Sequence, residues 1–171
     1  MTDHSALLGI YLNDHLAGAT AGLELFRRAT GSATGDLKIE LGQITDQVQQ
    51  DRAALPAMMQ ALDLPVRHYK VLGGWALEKV GRLKSNGHLL SRSPLSDLVE
   101  LEGLVLAVAG KAAGFRALHT LAGSEPRLDR AELLRLVERA EQQGAVLERL
   151  RLAAVQRIFA GRSPAASAAT S

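Results

Sequence analysis

Apolar residues recur along this chain at helical spacing. Leu8, Leu12, Leu16, Ala19, Leu23 and Phe26 are separated by steps of three and four and share one narrow arc at 100° per residue. They predict a helix over residues 5–28. Thr2 or Asp3 can cap its start, and Arg27 and Arg28 stand at the end whose dipole favours positive charge. Residues 30–35 (TGSATG) read as a turn. Leu37, Leu41, Ile44, Val48, Asp51, Leu55, Met58 and Leu62 then alternate spacings of four and three, which predicts a second helix over 36–62 with a bundle-type seam. One seam position, Asp51, is charged, and Pro56 predicts a kink. A connection this short makes the first two helices an antiparallel hairpin.

Residues 63–65 end the second helix. A third, shorter helix is expected over 66–84 and a loop over 85–94. A fourth helix is expected over 94–122. Its centre, 103–113, has Lys111 as its single charge and is apolar on nearly every side, the pattern of a central, buried helix. Gly103, Gly110 and Gly114 would let a neighbouring backbone approach closely. After the break at 123–126 (GSEP), a fifth helix is expected over 128–160, with Leu133, Val137, Ala140, Gly144, Leu147, Ala154 and Ile158 on one seam. Residues 1–161 thus read as one helical-bundle domain, and 162–171, small and polar, as a disordered tail.

Composition supports an all-α chain. Leu (30) and Ala (27) supply a third of the 171 residues, whereas Val and Ile together supply 14 and the aromatics six. Leu and Ala favour helices, and a sheet needs the β-branched and aromatic residues that are scarce here. With no cysteine, disulfides, thiolate-bound metals and thiol nucleophiles are excluded. No uncharged stretch exceeds ten residues, and a membrane-spanning helix needs about 20. The first residues lack the basic start of a signal peptide, so a cytoplasmic location is the expectation. Gly-x-Ser-x-Gly, Walker A and Gly-x-Gly-x-x-Gly patterns are absent.

Two hairpins joined by a crossover of about thirty residues fit an up-down-down-up four-helix bundle with a short fifth helix in the crossover. On residues 11–25 (YLNDHLAGATAGLEL), 74–87 (GWALEKVGRLKSNG) and 93–111 (SPLSDLVELEGLVLAVAGK), the chain resembles ferritin-like helical proteins, particularly small uncharacterised bacterial ones. The resemblance implies that architecture over residues 5–160. It does not bring a metal site with it. Ferritin-like carboxylate enzymes use Glu-x-x-His, with both ligands one turn apart on a helix face. The residues three before each histidine here are Met1, Leu12, Pro65, Ser85 and Arg116. A carboxylate site of another pattern would fall on Glu24 and Glu40, if the first hairpin sets them at similar depth.

Three polar residues stand where apolar ones belong: Asp51 in its seam, His15 at the edge of the first apolar arc, and Lys111 in the most apolar stretch. Buried charges are costly unless paired. With the turn centred at residue 32, Asp51 faces the level of Asn13, within a turn of Tyr11 and His15. An interior polar network of Tyr11, His15, Asp51 and Lys111 follows as an expectation, with Asp51 partnered by Tyr11, Asn13, His15 or Lys111. The crossover, residues 66–92, holds six basic residues, including Arg67, Lys70, Lys79, Arg82 and Lys84, against Glu78, a net +5 in a chain of net +2. With Trp75 and its apolar neighbours this is a basic amphipathic segment, expected to cover the bundle and solvate its charges.

The functional expectation is a metal-free, cofactor-free ferritin-like bundle with a structural or interaction role, leaning away from an enzyme and towards a homo-oligomer, a homodimer first. Nucleic acid and membrane surfaces are not expected as partners. One alternative is a metal or redox enzyme with an unusual carboxylate site. The other is a binder of an apolar ligand beside 103–114, or of an anionic surface through the basic crossover.

Overall fold

The computed structural model describes residues 4–67 and 94–160. Among them are four helices and no strand: α1 (His4–Ser32), α2 (Gly35–Ala61), α3 (Pro94–Leu121) and α4 (Arg130–Val155), the last closing in a π-helical turn, Gln156–Ala160. The expected crossover helix, the loop after it, Lys70, Trp75, Lys79, Arg82, Lys84 and the tail from residue 162 lie outside the described residues.

Helix α1 continues four residues past its expected end. Ser32 Oγ bonds back to the carbonyls of Arg28 (3.0 Å) and Ala29 (3.1 Å), so the last turn satisfies itself. Only Ala33 and Thr34 then join α1 to α2, and Gly35 takes the left-handed φ of +57° that other residues resist. Helix α2 runs unbroken through Pro56. It ends in a Schellman motif: Leu64 N–H donates to Met59 O (2.9 Å) and Asp63 N–H to Gln60 O (3.1 Å), with Asp63 at φ +57°. The chain leaving it is clamped to α1 by buried Asn13. Its Nδ2 donates to Gly9 O and Pro65 O, and its Oδ1 accepts from Arg67 N–H at 2.6 Å. At α4 the Asp129 carboxylate caps the helix by accepting from Glu132 N–H at 2.9 Å.

Cross-helix contacts give each pair its direction. Thr30–Thr45, Arg27–Gln49 and Arg52–Thr20 run α1 and α2 antiparallel. His15 lies at Gly114, Gly22 at Ala107 and Leu25 at Gly103, so α1 and α3 are antiparallel. Arg116–Glu141 and Gly144–Val108 do the same for α3 and α4. Glu40–Arg149 and Gln47–Gln143 do so for α2 and α4.

The buried side chains form two apolar clusters. One surrounds Leu23, Phe26, Leu41, Leu104, Val108 and Leu147; the other surrounds Leu12, Leu55, Met59, Phe115, Leu118 and Leu133. Helix α3 is not the central, all-round buried helix its composition suggests. Leu104 is fully buried, but Leu106 is 74 % exposed, and Ala109, Gly110 and Ala113 are exposed too. In a four-helix ring every helix keeps an outer face, and α3 has small apolar residues on its own.

Candidate functional site

Between the two apolar clusters lies a polar layer. Asp51 is fully buried there. Lys111 Nζ pairs with its Oδ2, and Arg139 Nη2 with its Oδ1. Gln143, also buried, accepts from Lys111 through Oε1 and donates from Nε2 to Asp51 Oδ2 (3.3 Å) and Gln47 Oε1 (3.0 Å). Helices α2, α3 and α4 therefore all contribute polar groups at this level. The layer holds one carboxylate and two cations. Burial is the main force pushing the Lys111 pKa below the usual lysine range, Asp51 opposes it by attraction and hydrogen bonding, and Arg139 adds to the lowering.

Helix α1 brings no polar group to the layer. Opposite Lys111 it carries Gly18, Ala19 and Gly22, and a side chain added at Gly18 or at Gly110 of α3 would enter open space. The result is a cavity of about 520 Å³ between α1 and α3, open to solvent where Gly18 and Gly110 are exposed and in the size range of small-molecule pockets. Leu12, Phe26, Val108, Phe115 and Leu118 form its apolar walls, and Val48 and Leu55 line it from α2. Its polar groups are Lys111, Tyr11, Asp14 and His15.

The network expected from the sequence therefore divides. Asp51 and Lys111 come together. Tyr11 and His15 stand on the cavity and make an edge-on ring contact, centroids 4.4 Å apart. They make no hydrogen bond to Asp51. The reason is register: the Thr30–Thr45, Thr20–Arg52 and Arg27–Gln49 pairs set Asp51 about two to three turns further along α1 than Asn13. His15 instead faces Gly114, where a Cβ would come within 2.7 Å of its Nδ1. Arg139 and Gln143 carry no signal in the sequence, because their helix is rich in exposed polar residues of the same kinds. The same shift of register separates Glu24, paired with Arg27, from Glu40, paired with Arg149. Among the described residues no group of three or more His, Asp or Glu could hold a metal ion, and no helix is long and apolar enough to cross a membrane. Arg67, the one described member of the expected basic surface, is exposed.

Burial lowers the His15 pKa below its ordinary value of about 6.5, with nearby Asp14 acting against the shift. The unfolded chain therefore takes this proton more readily than the folded protein. The contribution of the neutral ring is fully present above the unfolded value and is lost as pH falls through the lower folded value. Denaturant unfolding should show a smaller loss of stability between pH 7.5 and 5 in His15→Gln than in the unaltered protein. Equal losses would mean that the ring titrates as it does in water.

Comparison with protein-family models, with curated proteins and with solved structures finds no match.

Proposed function

We propose that this chain is a ferritin-like bundle without a di-iron centre, and that it binds a small apolar molecule between α1 and α3. The antiparallel pairs, with a long connection between α2 and α3, amount to an up-down-down-up order, which supports the ferritin-like reading. Ferritin-like carboxylate proteins gather metal ligands at the bundle centre. Here that centre has one carboxylate against Lys111 and Arg139, and a divalent ion brought there would meet two positive charges.

The observation that carries the binding reading is the 520 Å³ cavity, walled by aliphatic and aromatic side chains and opened by glycine on both helices. Glycine inside a helix is unfavourable relative to alanine by roughly 0.5–1 kcal/mol. Gly18 and Gly110 incur that penalty where the packing leaves room for a side chain. A ligand occupying the space gives the glycines a purpose.

The test uses N-phenyl-1-naphthylamine, an apolar probe whose fluorescence rises out of water. It should bind the unaltered protein and fail to bind Gly18→Leu with Gly110→Leu, which fills the cavity from both sides. The filled variant should be as stable as the parent or more so, because leucine is the better helix former. Probe binding unchanged in a folded, filled variant would place the apolar site elsewhere and defeat this reading.

A further inference from the structure

The polar layer beneath the cavity narrows the class of ligand. Lys111 extends from α3 into the cavity wall, and its side chain is 10 % exposed. Val48 and Leu55, on either side of Asp51 along α2, line the cavity, so Lys111 reaches its floor above a carboxylate that is itself fully covered. An ammonium group has three N–H donors. Lys111 directs one to Asp51 and one to Gln143, and the described residues supply no acceptor for the third. Around it the charges do not balance. Asp51 is shared by Lys111 and Arg139, so this layer has one more cation than carboxylate, with Arg139 one-third exposed to water and Lys111 nearly covered. Uncompensated interior charge is unfavourable, and one more anion would neutralise it.

We propose that the cavity takes an apolar molecule ending in a carboxylate, of the class of a medium-chain fatty acid, inserted head first so that the carboxylate accepts a hydrogen bond from Lys111. The inference rests on the cavity being a ligand site, as proposed above. The orientation follows from charge. Asp14 stands on α1 among the cavity residues and is exposed, so a carboxylate left near it would meet a like charge. At the floor the same group meets Lys111 with Arg139 behind it, in a setting where charge-assisted hydrogen bonds are strong. The hydrocarbon then lies against Leu12, Phe115 and Leu118 in space that water fills poorly. Asp51 remains paired throughout, so binding does not require the buried layer to rearrange.

Displacement of N-phenyl-1-naphthylamine by decanoate, decanol and decylamine, each below its aggregation concentration, tests the proposal on the unaltered protein. Decanoate should displace the probe at a concentration at least tenfold lower than decanol, and decylamine should be the weakest. In Lys111→Met the advantage of decanoate over decanol should fall to within about threefold while decanol still binds. Arg139→Gln, which removes the excess charge without touching the cavity wall, should reduce the same ratio and serves if Lys111→Met does not fold. Equal displacement by decanoate and decanol in the unaltered protein overturns the carboxylate assignment and leaves the apolar site standing. A tenfold preference that survives both substitutions overturns the role of Lys111. Failure of the probe and all three compounds to bind defeats the cavity reading itself.

Discussion

Asp51→Ala should lower the stability of the folded protein by about 3–5 kcal/mol, the typical cost of breaking a buried charged pair by removing one partner. For a chain of this size that is a drop of very roughly 6–20 °C in melting temperature. Asp51 has no exposed surface, and both of its oxygens face cations. Alanine would leave Lys111 and Gln143 without their carboxylate inside the bundle, and Arg139 would have to turn outward to water, which its partly exposed side chain allows. Replacing the whole group, with Asp51→Leu, Lys111→Met and Arg139→Met together, should recover most of the loss, because apolar residues of similar volume avoid the desolvation of all three charges. Urea unfolding of the single and triple variants reads both outcomes. A loss below about 0.5 kcal/mol for Asp51→Ala, the level of an ordinary surface substitution, would contradict its burial.

Two leucines in the same turn of α3 should behave in opposite ways. Leu104→Ala should cost about 2–5 kcal/mol, since the side chain is fully buried in the cluster with Leu23, Phe26 and Leu101 and its removal leaves a void. Leu106→Ala should stay within about 0.5 kcal/mol, because that side chain already meets solvent. Alanine also keeps the helix, so neither change disturbs the backbone. Thermal or denaturant unfolding of both variants decides the matter. A cost above about 2 kcal/mol for Leu106→Ala would show that the outer face of α3 is covered in the protein as it exists in solution.

The four described helices were readable in the sequence. Their seams follow from a period of 3.6 residues, which depends on nothing beyond local geometry, and the expected second and fourth helices end within one residue of α2 and α3 at both ends. The buried charge at Asp51 was readable for the same reason, as a polar residue on an apolar seam, and Lys111 stood out against an uncharged stretch. Which residues meet across helices was not readable. The way α2 packs along α1 sets the hairpin register and carries Asp51 away from Asn13, Tyr11 and His15. Arg139 and Gln143 look like any polar residues of an amphipathic helix until α4 is packed against α2. Leu104 and Leu106 differ only in which way they face, and an apolar helix has no sequence signal for its outer side. The cavity is the clearest case. Gly18 and Gly110 are distant in the chain and ordinary singly, and they make a pocket because antiparallel packing of α1 on α3 brings them to the same level. Helix periodicity is a property of neighbours along the chain, whereas register, facing and empty space belong to contacts between residues far apart in it.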